Sequence, residues 1–356
     1  MKIHVVSTGG TIVSEGGRNG LSPSRFSSRR VVDLMSSVFP EHTFSHSAPM
    51  NLDSSNIEPE DWSEIASEVF SPLRDCDGVI VTHGTDTMAY TASALAFMLR
   101  GIDKPVTLTG SQIPFGLAGS DAVSNLTLAV AALADGIKGV TVSFGGRVIN
   151  GARAVKTSSF GMDAFESVGA PPRALFTASG LDILTENPAR GGGPVLENDI
   201  CPNVFLLKLA PGTNPNIFDA LAGLGYSGVV MEAFGAGGVH SVRRGLASAA
   251  RAAAARGMVI VVRSQCLYGR TDLNLYETGA AIRDCTISAG DMTTEAAVVK
   301  LMWALAKTSS FEEAAEIFRT NYAGEITLQP ASLKNPTERN RSNPIRPLKS
   351  SEKMLK

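Results

Sequence analysis

The chain has 356 residues, 44% of them hydrophobic, 19% charged and 35 of them glycine, which is longer than one compact core usually holds and predicts two domains. A formal net charge of -2 leaves no basic surplus to argue for nucleic acid or a membrane surface. Cys76, Cys201, Cys266 and Cys285 lie far apart without CxxC spacing, which argues against a zinc cluster or a dense disulfide framework.

The first residues, MKIHVVSTGG, run straight into a Gly turn. The apolar stretch is too short for a signal peptide, and no later stretch reaches membrane-spanning length. The expected location is the cytoplasm. Residues 3–7 open a series of short Val- and Ile-rich runs that continues at 78–82, 106–109, 140–144, 228–231 and 258–263. Runs of this kind read as strands buried on both faces. Helical patterns lie between them, at 60–70, 88–99, 122–134, 217–224, 245–256 and 294–306. Such alternation predicts α/β architecture: a larger N-terminal domain with a mostly parallel sheet flanked by helices, plus a smaller C-terminal α/β domain. Asp61 to Glu64 reads as a capping box after Pro59, and Asp121 as the cap of the helix that follows it. Residues 169–203, rich in Pro and Gly, read as hairpin plus linker. The expected boundaries are 1–185 for the N-terminal catalytic domain, 186–203 for the linker and 204–325 for the C-terminal domain. A flexible, mildly basic tail is expected over 326–356.

Four segments carry candidate chemistry. The first predicted strand ends in Thr8-Gly9-Gly10-Thr11-Ile12, and parallel sheets bind ligands beyond the carboxyl ends of their strands. By itself this is a Gly turn bearing a hydroxyl. The second, His83-Gly84-Thr85-Asp86-Thr87, places two hydroxyls and a carboxylate where a helix begins, and a helix N-terminus suits an anion or a developing oxyanion. Its plainer reading is helix capping. The third, Thr109-Gly110-Ser111-Gln112-Ile113-Pro114, is again a strand followed by a Gly turn. The fourth is Lys156, which as a lone lysine reads as surface, but beside a Thr hydroxyl in a dry site can act as a base. No GxGxxG follows a strand, and no Walker lysine, GxSxG elbow or HExxH occurs.

Together these motifs resemble the bacterial-type L-asparaginase family, and within it the cytoplasmic type I branch. The resemblance runs from Lys2 to about Glu325. It is strongest over Thr8 to Ile12 and from His83 through Leu95. It implies a hydrolase that releases ammonia from L-asparagine through a threonine nucleophile, matched by Thr11. Thr85, Asp86 and Lys156 match the remaining catalytic positions. Ser54, Asp86 and Ser111 match substrate-holding positions, and Gly10, Ser55 and Gly84 lie beside them. The resemblance further implies no metal or organic cofactor, a small-molecule amide as ligand, and a homodimer or homotetramer.

Two departures stand out. Relatives carry a tyrosine in the loop after the first motif, where this chain has Gly20-Leu21-Ser22-Pro23, and no tyrosine precedes Tyr90. In the C-terminal domain Gly238 stands where many relatives have Asn, and Glu232 stands near the arginine of allosteric members. Both changes leave room beside the substrate for a larger or less polar amide. Leu21 in place of the tyrosine also opens the reading of a non-catalytic, amino-acid-binding regulatory homologue that keeps Asp86 and Ser54, with Tyr268 or Tyr276 as other possible tyrosines. A component of a tRNA-dependent amidotransferase is less favoured, since such relatives carry a further domain before the first motif.

Overall fold

The computed structural model describes residues 1–17, 20–187 and 192–327. The part of the expected tail beyond 327 and part of the expected linker lie outside the described residues. In chain order, β1 (Lys2–Ser7) leads through a hairpin of β2 (Ser14–Gly17) and β3 (Gly20–Pro23) to α1 (Arg25–Val38) and β4 (Thr43–Ser47). Next come α2 (Pro59–Phe70), β5 (Gly78–Thr82), α3 (Met88–Met98), β6 (Leu99–Arg100), β7 (Pro105–Thr109), α4 (Ala122–Ala134) and β8 (Gly139–Phe144). After β9 (Arg147–Asn150), two hairpins pair β10 (Ala154–Lys156) with β11 (Phe165–Ser167) and β12 (Ala174–Thr177) with β13 (Gly180–Ile183).

The large sheet has the order β13-β12-β9-β8-β7-β5-β1-β4. Strands β4, β1, β5, β7 and β8 run parallel, and the chain reverses at the β8–β9 turn. Every residue of β5, β7 and β8 is buried, which is why these strands read as continuous apolar runs rather than alternating ones. The short β14 (Val195–Leu196) pairs with β6. The smaller sheet follows: β15 (Val204–Lys208), β16 (Gly228–Ala233), β17 (Val259–Ser264) and β18 (Ile287–Ser288), all parallel. It is accompanied by α5 (Ile217–Gly223), α6 (Leu246–Ala255), α7 (Glu277–Ala280), α8 (Thr294–Leu305) and α9 (Phe311–Arg319). The two-domain α/β architecture expected from the strand and helix rhythm is the one observed.

Two caps differ from expectation. The α2 capping box is made by Glu58 and Asp61, with the Glu58 amide donating to Asp61 Oδ2 at 2.8 Å, so it starts ahead of Pro59. Asp121 flanks α4 but makes no side-chain cap; its carboxylate takes other amide hydrogens, described below.

Helices α3 and α8 are buried all round, because each is covered by a sheet on one side and by the other helix on the opposite side. Phe97 stacks on Trp303 at 5.9 Å between ring centroids across this seam. At its end lies a fully buried ion pair, Lys300 Nζ to Glu325 Oε1 at 2.5 Å. Lys300 also donates to the Thr320 carbonyl at 2.8 Å, and Glu325 accepts from the amides of Tyr322 and Ala323. Burial pushes the Lys300 ammonium down from its ordinary range, and Glu325 opposes that shift. The turn so formed offers its Ala323 and Gly324 carbonyls to Asn150 Nδ2 and Arg153 Nε, both at 2.8 Å. Glu325→Ala strands a buried ammonium and is expected to cost about 3–5 kcal/mol, read as a lowered midpoint of urea unfolding.

Candidate active site

The first two motifs sit beyond the carboxyl ends of the adjacent strands β1 and β5. Gly9 and Gly10 take φ of 114° and 79°, which lets the chain leave β1 sharply. The loop at Leu52 then pairs with this turn: Leu52 N donates to the Thr8 carbonyl and Gly10 N to the Leu52 carbonyl, both at 2.9 Å. A Cβ on Gly10 would stand 2.3 Å from the Gly84 amide nitrogen, and one on Gly84 would stand 2.5 Å from Ser54 Oγ. Gly10 therefore meets the Gly84 backbone directly, and the Ser54 side chain sits against Gly84, where no further Cβ fits.

The contact carries the polar groups with it. Ser54 Oγ accepts from the Asp86 amide at 3.2 Å, and Thr87 Oγ1 donates to the Ser54 carbonyl at 2.7 Å. Because the Ser54 hydroxyl is used there as an acceptor, its proton is left to give to an anion. Thr11 opens a 3-10 turn, half-buried, and no hydrogen bond to its hydroxyl occurs among the described residues. Lys156 ends β10, and its side chain is mostly buried rather than on the surface. Its ammonium donates to Thr85 Oγ1 at 2.8 Å and to Asp86 Oδ1 at 2.6 Å. Thr85 is buried, while the Asp86 side chain stays open to solvent.

Gly10, Ser54, Gly84, Thr85, Asp86 and Lys156 are thus brought together. Ser55 is exposed, and its amide serves Asp53 Oδ1 at 2.9 Å, which makes it part of the loop's internal turn. Ser111 is buried, with its hydroxyl donated to the Ile113 carbonyl at 2.7 Å. The residue missed by sequence reasoning is Gln112, whose Oε1 accepts from Thr85 Oγ1 at 3.2 Å. An amide side chain directly after a Gly-Ser turn at a strand end is the signal that could have found it. Asp121 and Asn125 brace this loop. The Asp121 carboxylate accepts from the amides of Gln112 and Ile113, and Asn125 Nδ2 donates to the Gly110 carbonyl.

Other residues take supporting places. His83 is fully buried, with Nδ1 2.7 Å from the Gly84 carbonyl and Nε2 2.9 Å from Thr91 Oγ1, an arrangement that suits a neutral ring. Tyr268 donates its hydroxyl to Glu166, which also accepts from Thr157 Oγ1 at 3.0 Å; Glu166 lies on β11, opposite the strand of Lys156. Tyr276 is exposed. Glu232 is buried and held by Thr294, Lys208 and Arg263. Among the described residues no three His, Cys, Asp or Glu side chains cluster so as to hold a metal, and no helix is long and apolar enough to cross a membrane.

A mainly parallel sheet followed by a smaller parallel one, with two threonines, a lysine and a carboxylate beyond the strand ends of the larger, defines a two-domain α/β protein with hydroxyl groups where parallel sheets bind ligands. The family models "Asparaginase, N-terminal" and "Glutaminase/Asparaginase C-terminal domain" match residues 2–189 and 203–318, and the chain belongs to the asparaginase family. It is 39% identical over 331 residues to an L-asparaginase of Thermococcus kodakarensis, covering 92% of this chain and 99% of the relative. The solved thermostable L-asparaginase of the same organism superposes with a TM-score of 0.86 at 38% identity, over 92% of this chain and 100% of that one. L-asparaginase I of Vibrio cholerae gives 0.81 at 32% identity, over 92% and 99%. A component of the glutamyl-tRNA(Gln) amidotransferase of Methanopyrus kandleri is 37% identical over 344 residues, 91% of this chain and 74% of the relative.

Two measurements follow from this packing. Gly84→Ala sets a methyl against Ser54 Oγ and is expected to cost about 1–3 kcal/mol in thermal unfolding. It should also weaken substrate binding, seen as a raised KM. For His83, burial pushes the imidazole pKa down from 6.5 to about 4. The unfolded chain takes up that proton near pH 6.5 and the folded one only near pH 4. The His83 contribution is therefore complete above pH 6.5 and is lost as pH falls through this window, by about 3 kcal/mol in total. Urea titrations between pH 7 and 4 are expected to show this slope, and His83→Gln to flatten it.

Proposed function

We propose that the chain hydrolyses the side-chain amide of L-asparagine to L-aspartate and ammonia, with Thr11 as nucleophile. The observation that carries this is the bonded cluster Lys156–Thr85–Asp86 beside the Gly10–Gly84–Ser54 contact. In this reading the Ser54 hydroxyl donates to the substrate α-carboxylate. The exposed Asp86 carboxylate, whose Oδ1 already meets Lys156, takes the α-ammonium with its other oxygen. The Thr11 oxygen attacks the amide carbonyl, its proton is handed to the departing nitrogen, and ammonia leaves. Water then cleaves the threonyl ester, which returns the proton to Thr11 and frees aspartate. Ser111 and Gly10 line the side-chain end of the substrate, and Ser55 has only a supporting part in the loop.

Expected boundaries at 185 and 203, a cytoplasmic location and assembly as a homodimer or homotetramer belong to the same proposal. Exposed Phe160, Val242 and Tyr276 favour an assembly that covers them. A second reading, an amidase acting on an amide larger than free asparagine, is favoured by Gly238, which adds no side chain beside Thr278.

The test is ammonia release from asparagine, glutamine and larger amides, with the wild type and Thr11→Ala. Thr11→Ala is expected to lose about three orders of magnitude or more in kcat, with its thermal unfolding unchanged. A variant that keeps the wild-type rate would remove Thr11 as nucleophile. Turnover confined to larger amides would select the second reading.

A further inference from the structure

Gln112 has no part in the chemistry just described, yet its side-chain amide ties three segments together. Oε1 faces Thr85 Oγ1 at 3.2 Å, while Nε2 lies 3.2 Å from the Ser159 carbonyl and 3.1 Å from the Gly161 carbonyl. Those carbonyls belong to the loop between β10 and β11, the hairpin that carries Lys156. Backbone carbonyls only accept, so the NH2 end of the amide must face them, and the orientation of the group is fixed by its surroundings. The end facing Thr85 is then an acceptor. Thr85 must donate to it.

That settles the direction of every bond in the cluster. Lys156 is a donor to both Thr85 and Asp86, since an ammonium has no lone pair. Thr85 Oγ1 accepts one of these hydrogens and passes its own proton toward Gln112. One lone pair of the Thr85 oxygen remains, and none of the described residues occupies it. Without Gln112 the Thr85 hydroxyl could rotate freely, and its proton could turn to fill the space where that lone pair stands.

We infer that Gln112 is a positioning residue: its side-chain carbonyl holds the Thr85 proton aside, so that the Thr85 oxygen meets the reacting hydroxyl or water as an acceptor. The NH2 end meanwhile anchors the amide to the tip of the Lys156 hairpin. The Gln112 backbone is itself held, because its amide donates to both carboxylate oxygens of Asp121 at 3.0 Å. The side chain therefore hangs from a braced loop. This role rests on the hydrolytic reading above, and one of its two tests does not depend on turnover.

Three substitutions separate the two ends of the amide. Gln112→Glu keeps an acceptor for Thr85 but turns its second oxygen against the Ser159 and Gly161 carbonyls. Gln112→Met keeps the length and removes both functions. Gln112→Lys offers a donor to the carbonyls and no acceptor to Thr85. If Gln112 orients Thr85, the ranking of kcat on asparagine is wild type, then Glu within about 10-fold, then Met and Lys lower by about 100-fold, with KM changed by less than about threefold throughout. If Gln112 only tethers the hairpin, Glu is as poor as Met or poorer, Lys is the best of the three, and KM rises; that order overturns the proposal. Neutron diffraction of the wild-type protein gives the second readout. A Thr85 deuteron on the line to Gln112 Oε1 supports the role, and one on the line to Lys156 Nζ overturns it. A wild type that releases no ammonia from any amide sinks the hydrolytic reading, while the deuteron position still decides the orientation of Thr85.

Discussion

The site depends on one close approach, that of the Gly10, Gly84 and Ser54 segments. Adjacent parallel strands deliver their following loops to the same edge of the sheet, and β1 and β5 are such neighbours. Ordinary residues would hold those loops apart by the thickness of their side chains. Glycine at 10 lets its backbone meet that of Gly84, and glycine at 84 leaves room for the Ser54 hydroxyl, with the space for any Cβ already taken at 2.3 Å and 2.5 Å. Thr11 and Thr85 follow these glycines immediately, so the two residues stand next to the same backbone contact. Short hydroxyl side chains lose little rotamer freedom on being fixed, which suits groups whose proton directions must be set.

Lys156 enters from a different part of the topology. The parallel series ends at β8, the chain turns back through β9, and the next hairpin lies across the site. Its entry is fixed by Arg153, three positions earlier and fully buried, which donates to the carbonyls of Gly324 and Asp291 and pairs with the Asp291 carboxylate at 3.2 Å. Both partners belong to the C-terminal half of the chain. The smaller domain thus holds the strand whose last residue completes the hydroxyl cluster, and the buried Lys300–Glu325 pair shapes the turn that supplies one of those carbonyls. Buried ion pairs of this sort are weak sources of net stability, but they fix geometry when every donor is satisfied.

What is legible in the sequence follows the range of the interactions. Strands buried on both faces announce themselves locally, and so do glycines that close a strand. Thr11, Thr85 and Asp86 sit beside such glycines and stand out for that reason. Lys156 cannot be distinguished from a surface lysine by local pattern, because its burial comes from β11 and from bonds to Thr85 and Asp86, residues 71 and 70 positions away. Asp121 misleads for a related reason. It stands where a helix cap belongs, yet the amides of Gln112 and Ile113 present a better partner, and that competition exists only after folding. Ser55 cannot be told from Ser54 in sequence, while the 3-10 turn buries one and leaves the other exposed.

The tyrosine that relatives carry near Leu21 raises the question of where the nucleophile's proton goes. Tyr268 approaches the Lys156 hairpin, and its hydroxyl is already committed to Glu166. That bond raises its pKa, since the carboxylate stabilises the protonated phenol. A phenol held in this way keeps its proton and makes a poor base, and it bonds to the outer strand of the hairpin rather than to Thr11 or Thr85. Tyr90 is pushed further, to about 12, by burial and the nearby Glu295 and Glu232 carboxylates, and is committed to the seam between the domains. With both phenols held in their protonated forms, the Thr85 oxygen is left as a hydrogen-bond acceptor that can orient the nucleophile's hydroxyl, while the proton itself goes to the departing nitrogen. The capacity of Thr85 to accept depends on where its own proton is kept, and in this fold the Gln112 carbonyl keeps it.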